Sequence, residues 1–218
     1  MIEQHTIAVL VSGSGSNLQA IIDASERGEI HSRVGVVISN KADAYGLVRA
    51  RNHDIPTEVV DHRAFESRET FDARLVEVLR ASGAELVCLA GFMRVVTPVL
   101  LRAFPHRILN IHPALLPSFP GTHGPRQALQ YGVRFSGCTV HFLDEGVDTG
   151  PVIVQAVVPV YEDDTEDTLA ARILKEEHRI YPMAIRLFFE GRLEISGRRV
   201  LTKDTGKIQE FSRRNPDA

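Results

Sequence analysis

Strands alternating with helical segments predict an α/β fold: a doubly wound, mostly parallel sheet with an antiparallel hairpin extension toward the C-terminal half. Three observations carry that expectation. The runs at 7–11, 34–38 and 86–90 are apolar throughout and lack polar alternation, as in strands buried on both faces. Segments with helical apolar spacing separate them, which is the βαβ pattern of a parallel sheet. Beyond Gly137 the character changes, because two apolar runs at 137–142 and 152–158 flank one short loop, like the two arms of a hairpin.

The elements follow in order. Ile7-Ala8-Val9-Leu10-Val11 predicts a central strand, and Ser12-Gly13-Ser14-Gly15-Ser16-Asn17 a glycine loop opening a helix that stops near Gly28. A strand at 34–38, a helix at 42–52, a short strand at 57–60 and a helix at 68–82 come next. The strand at 86–90 is followed by a short helix that Pro98 opens, and then by a strand at 108–111. A helix is expected at 124–131. The carboxylates of Asp163-Asp164-Thr165-Glu166-Asp167 suit the first turn of a helix running to about His178. Pro182 is expected to kink or restart that helix, which resumes through Phe189. Residues 1–190 are expected to form a single α/β domain, with 191–218 a tail that packs on it as a small hairpin.

Composition narrows the function classes. The chain has 218 residues and a formal net charge of −3, enough sequence for a sizeable core and no Lys/Arg stripe for a nucleic-acid footprint. Cys88 and Cys138 lie inside apolar runs, which suits reduced core thiols in a cytoplasmic protein. The start lacks a leader pattern, and no apolar run approaches the ~18 residues of a membrane span. Association with nucleic acid or membrane is therefore not expected.

Two stretches carry candidate chemistry. In Ile108-Leu109-Asn110-Ile111-His112-Pro113 an amide and an imidazole stand two apart on a strand, so both point to one side just before a proline ends the ladder. Asp148, in the glycine-punctuated loop Asp144-Glu145-Gly146-Val147-Asp148-Thr149-Gly150, is the candidate third member. The same letters also fit a strand-capping Asn110, a satisfied semi-buried His112 and a turn residue at Asp148. The glycine loop lacks the third glycine of a dinucleotide fingerprint, and the second strand ends in Ser39-Asn40 with no acidic residue for a ribose hydroxyl. Its free N–H groups at a helix start, with the Ser and Asn side chains, suit a terminal phosphate monoester, to which Arg68 could add charge. A tight βα turn with Ser16 or Asn17 as N-cap is the other reading of that loop.

Several segments together are more specific: Gly13-Ser14-Gly15-Ser16-Asn17-Leu18-Gln19-Ala20-Ile21, Ser39-Asn40-Lys41-Ala42, Leu89-Ala90-Gly91-Phe92-Met93-Arg94, Asn110-Ile111-His112-Pro113-Ala114-Leu115-Leu116-Pro117 and Glu177-His178. They resemble the phosphoribosylglycinamide formyltransferases, folate-dependent enzymes of purine synthesis, over nearly the whole chain. Methionyl-tRNA formyltransferases and formyltetrahydrofolate hydrolases share the Asn, His-Pro, Leu-Leu-Pro and Asp elements alone. The early glycine loop and the length, with no room for a tRNA-gripping or an N-terminal regulatory domain, favour the first group.

The resemblance implies transfer of the formyl group of 10-formyltetrahydrofolate, a cosubstrate, to the amine of glycinamide ribonucleotide. Asn110, His112 and Asp148 would be catalytic, without a metal or a covalent enzyme intermediate. Gly15, Ser16, Asn17 and Arg68 would hold the substrate phosphate, while Glu177 and the backbone near Met93 and Pro113 contact the ribose and glycinamide. Met93, Arg94, Val95 and Val96, with Leu143, Asp144, Glu145, Gly146, Val147 and Asp148, would embrace the pterin. A cis bond at Leu116–Pro117 is also implied, and either a monomer or a homodimer is compatible. A hydrolase using water in place of the amine, or a phosphometabolite-binding module without chemistry, are the alternatives. Two departures stand out: only His123 remains where the family often has two histidines, and Leu174 occupies a place expected to be polar.

Overall fold

The computed structural model describes residues 5–203. The chain divides into two units, 1–110 and 111–218, with the division inside one strand.

The first unit holds strands β1 (His5–Val11), β2 (Ser32–Ser39), β3 (Thr57–Val59), β4 (Leu86–Leu89) and most of β5 (Ile108–His112). They lie in the order β3-β2-β1-β4-β5, each neighbouring pair parallel. The chain therefore starts at the centre, winds outward through β2 and β3, then returns to the other side of β1 for β4 and β5. Such an order defines a doubly wound sheet whose strand order reverses between β1 and β4, where ligands bind beyond the carboxyl ends. Ile7 through Val11 and Leu86 through Cys88 are fully buried, in keeping with their unbroken apolar runs.

Helices α1 (Ser16–Glu26), α2 (Tyr45–Asn52), α3 (Arg68–Ala81) and α4 (Pro98–Ala103) connect these strands. Leu18, Ile21, Ile22 and Ala24 form the buried stripe of α1. A capping box of Ser67 and Thr70 starts α3, and Thr97 with Pro98 starts α4. A single 3-10 turn, His62–Ala64, lies between β3 and α3 and was not expected. Helix α2 begins at Tyr45 rather than residue 42, because Ala44 is extended and its N–H closes a turn on the Lys41 carbonyl.

The second unit contains α5 (Gly124–Tyr131), β6 (Phe135–Phe142), β7 (Val152–Pro159), α6 (Glu166–Phe189), β8 (Leu193–Ser196) and β9 (Arg199–Thr202). The strand order is β6-β7-β9-β8. β6 and β7 pair antiparallel, as the two flanking runs predicted, and β8 with β9 forms the small hairpin expected after residue 191. Residues 204–218 of that tail lie outside the described residues. The fold is thus α/β, mostly parallel, with an antiparallel hairpin in its C-terminal half.

One expectation is corrected. Helix α6 runs unbroken over 24 residues with Pro182 inside it. Proline removes one ladder bond and crowds the preceding turn. Here Tyr181, Pro182, Met183, Ala184 and Ile185 are all buried, and α6 packs on β6 and β7, so burial offsets that loss. The acidic run before it is consumed by structure: Thr165 and Thr168 form a capping box, and Asp164 takes a bidentate grip from Arg172 at 2.7 and 2.8 Å. The Leu116–Pro117 bond is cis, as the resemblance implied.

Candidate active site

In the first unit, the carboxyl ends of β1 and β4 carry the glycine loop and the Gly91–Met93 segment. Gly15 is the N-cap of α1, with φ 69° and ψ 29°, and no side chain caps the helix there. The loop is braced from α2: Gly46 N–H donates to the Gly13 carbonyl at 3.0 Å, and Arg49 Nε donates to the Ser14 carbonyl at 2.9 Å. Arg49 also donates to Gln19 Oε1 at 3.3 Å and lies over the Tyr45 ring. Asn17 is buried and Ser16 half-buried.

Arg68 opens α3 with its side chain exposed, and no bond from it to the glycine loop is found among the described residues. Arg49 is the arginine that touches the loop. Nothing in the sequence marks Arg49 beyond its place in α2, and the close approach of Gly46 to Gly15 brings it there.

Ser12 joins the two strand ends. Its N–H donates to the Gly91 carbonyl at 3.1 Å, and its hydroxyl accepts from Met93 N–H at 2.8 Å. Phe92 turns into the core, while Met93 and Val95 are exposed and Arg94 and Val96 half-buried. Asn110, half-buried, closes this unit as the register partner of Leu89.

In the second unit His112 is 3 % exposed. Its Nε2 lies 2.8 Å from the Phe119 carbonyl, and a carbonyl only accepts, so Nε2 carries a hydrogen. Its Nδ1 lies 3.4 Å from Asp148 Oδ2. Both ring nitrogens thus face acceptors, an arrangement that the imidazolium satisfies completely. Asp148 is a non-glycine residue at φ 54°, and its Oδ2 also accepts from Gly121 N–H at 2.7 Å.

A second histidine flanks the carboxylate. His141 Nε2 is 3.7 Å from Asp148 Oδ1, and its Nδ1 donates to the Phe142 carbonyl at 2.9 Å. Burial holds the His141 pKa below the ordinary histidine value, against the raising influence of that carbonyl and of Asp148. His141 was read only as part of a strand. Its signal was a polar residue inside the apolar run of β6.

The other expected residues fall as follows. Asp144 organises its own loop, accepting from Gly146 N–H at 3.0 Å and from the Thr149 hydroxyl at 2.6 Å. Leu143 is half-buried, while Glu145, Gly146 and Val147 are exposed. Pro113 is half-buried after β5. Glu177 is buried on α6, spaced with Ile173 and Ile180 along one helix face, and Leu174 is half-buried. His123 is the N-cap of α5 at φ 61° and contacts Glu166, which Arg126 also holds at 2.6 Å. Among the described residues no cluster of His, Cys, Asp and Glu could hold a metal ion, and no helix is long and apolar enough to cross a membrane.

A buried imidazole braced between a carbonyl and a carboxylate suits stabilisation of a developing oxyanion. The formyl transferase family's sequence model matches residues 5–185, which makes the chain an enzyme of the formyl-transferring class. The Escherichia coli phosphoribosylglycinamide formyltransferase is 49 % identical over 189 residues, 87 % of this chain and 89 % of the relative. The trifunctional purine biosynthetic protein adenosine-3 of Drosophila melanogaster is 52 % identical over 192 residues, but the chain spans only 14 % of that relative's length. Among solved structures, glycinamide ribonucleotide transformylase 1 from Symbiobacterium toebii superposes with a TM-score of 0.90 at 60 % identity, covering 91 % of this chain and 94 % of that one. The chain belongs to the phosphoribosylglycinamide formyltransferase family.

Proposed function

We propose that this enzyme transfers the formyl group of 10-formyltetrahydrofolate to the amine of glycinamide ribonucleotide, giving N-formylglycinamide ribonucleotide in de novo purine synthesis. The observation that carries this reading is the buried His112, with Nε2 on the Phe119 carbonyl and Nδ1 3.4 Å from Asp148. Attack of the amine on the formyl carbon forms a tetrahedral oxyanion. The Asn110 amide donates a hydrogen bond to that oxygen, and His112 as the cation stabilises its charge by turning one N–H from the acceptor it faces in the free enzyme. Asp148 favours the cation and takes the amine proton through an ordered water, from which it passes to N10 of the departing tetrahydrofolate. The transfer needs neither a metal nor a covalent enzyme intermediate.

Gly15, Ser16 and Asn17 receive the substrate phosphate on the N–H groups of the first turn of α1. Arg68 adds charge to that phosphate, and Glu177 with the backbone of Met93 and Pro113 contacts ribose and glycinamide. Met93, Arg94, Val95 and Val96 and the loop 143–148 embrace the pterin. Residues 1–190 act as one formyltransferase unit in the cytoplasm, as a monomer or homodimer, without nucleic acid or membrane partners.

The test is tetrahydrofolate release followed spectroscopically with glycinamide ribonucleotide, methionyl-tRNA or water as acceptor. Turnover should require the ribonucleotide, and equal turnover with water alone would refute the assignment. Asp148→Asn and His112→Ala should each lower kcat by about 10²–10³, the usual loss for one preorganised electrostatic element. Near-normal turnover in either would remove that residue from the mechanism.

A further inference from the structure

The residues that hold Met93 continue beyond Ser12. Met93 N–H donates to Ser12 Oγ at 2.8 Å, and the Ser12 hydroxyl donates to Asn40 Oδ1 at 2.6 Å. Asn40 Nδ2 has only hydrogens to give, so it donates to His62 Nδ1, 3.2 Å away. His62 accepts on Nδ1 at the end of this chain, and the same nitrogen lies 3.8 Å from Asp61 Oδ1. Ser12 and Asn40 are 5 % and 2 % exposed, so water cannot readily stand in for either of them, whereas the His62 side chain is 24 % exposed.

An apolar route runs beside the polar one. The His62 ring meets Phe71 edge-on at 6.3 Å, and Phe71 stacks on Phe92 at 6.5 Å. Both routes begin at His62, on the 3-10 turn absent from the sequence expectation, and end at Phe92 and Met93. The His62 ring therefore touches both routes, at Asn40 and at Phe71.

We propose that Asn40 and His62 are positioning residues that pre-form the Met93 segment for the folate cosubstrate. The inference rests on the reading of Met93 and its neighbours as the pterin contact. An imidazole with a free Nδ1 does this, and so does a carboxamide oxygen at the same place. A methyl group does not, because it offers Asn40 Nδ2 no acceptor and leaves that place to mobile water.

The experiment compares His62→Ala and His62→Gln with the parent enzyme by steady-state kinetics and by amide hydrogen exchange of residues 91–96. In His62→Ala, loss of one hydrogen bond should raise KM for 10-formyltetrahydrofolate about 3–10-fold and speed exchange at Met93 by a similar factor. The kcat should stay within about twofold. His62→Gln should restore both values. Unchanged KM and exchange in His62→Ala would overturn the proposal, and so would a raised KM that glutamine fails to rescue. The underlying reading is tested separately with tetrahydrofolate and the parent enzyme. Absence of protection at 91–96 would show that this segment is not the folate contact, whatever the His62 variants do to Met93.

Discussion

Gly15→Ala tests the brace on the glycine loop. Gly15 sits at φ +69°, and a Cβ built there would lie 2.6 Å from Gly46 Cα and 3.3 Å from Gly46 N. The obstacle is the backbone of the first turn of α2, not the end of a flexible side chain. Two costs follow: left-handed geometry for an L residue, about 1–2 kcal/mol, and forced displacement of packed atoms, about 1–3 kcal/mol. Gly28 separates them, because its φ is +70° but a Cβ there would meet nothing within 4 Å. Gly28→Ala should therefore carry the first cost alone. Urea unfolding at a shared slope should place Gly15→Ala about 1–3 kcal/mol below Gly28→Ala. The same clash displaces Gly46 N–H from the Gly13 carbonyl and shifts the Ser14 carbonyl that Arg49 holds. KM for glycinamide ribonucleotide should rise in Gly15→Ala and stay at the parent value in Gly28→Ala. Equal destabilisation by the two variants would refute the close-approach argument, and an unchanged KM in Gly15→Ala would refute the loop's role in holding phosphate.

Two further outcomes concern pH and ion pairing. The folded His141 pKa lies below its ordinary value because of burial, so the unfolded chain takes up that proton first on acidification. Its contribution to stability is complete above about pH 6.5 and declines as pH falls toward the depressed folded value, by up to about 1.4 kcal/mol per pH unit. Denaturant titrations between pH 5 and 8 should show that slope reduced in His141→Asn, which keeps a donor for the Phe142 carbonyl; an identical slope would exclude His141 as its source. Asp164 is held below the usual carboxylate range first by its hydrogen bonds from Arg172, then by Tyr161 N–H and the Thr168 hydroxyl. The Asp164 side chain is 3 % exposed, but Arg172 is 24 % exposed and keeps the Pro159 carbonyl and the Tyr161 ring, so Asp164→Ala should cost about 1–3 kcal/mol at neutral pH. Asp164 stabilises fully above its ordinary carboxylate pKa and loses that contribution as pH falls from there through the depressed value, so the variant's deficit should shrink below about pH 4. A deficit independent of pH would assign the loss to packing instead.

Much of the fold was legible because buried strands in a parallel sheet read as unbroken apolar runs. Ile7 to Val11 and Leu86 to Cys88 are fully buried, and the β6–β7 pair appeared where two such runs faced each other across a short loop. The errors have physical causes. β6 begins at exposed Phe135, paired with Pro159, because a ladder extends past the residues it buries. Pro182 leaves α6 intact because tertiary burial outweighs a local preference. The candidate site was legible as side chains and not as an arrangement. Asn110 and His112 could be paired from strand alternation alone, whereas Asp148 depends on a left-handed backbone that Asp144 stabilises through Gly146 and Thr149.

The hydrogen-bond partners of the His112 ring and of Asp148 are largely main-chain atoms. The Phe119 carbonyl keeps a hydrogen on Nε2, and Gly121 N–H fixes the same Asp148 oxygen that faces Nδ1. Neither group has a letter in the sequence, since every residue but proline supplies both. A motif can therefore name the imidazole and the carboxylate but not that both ring nitrogens face acceptors. In this enzyme that arrangement comes from the loop carrying Phe119 and Gly121, both at positive φ, so, on the role proposed for His112, a change to the turn that moves the Phe119 carbonyl should lower turnover with Asn110, His112 and Asp148 all kept.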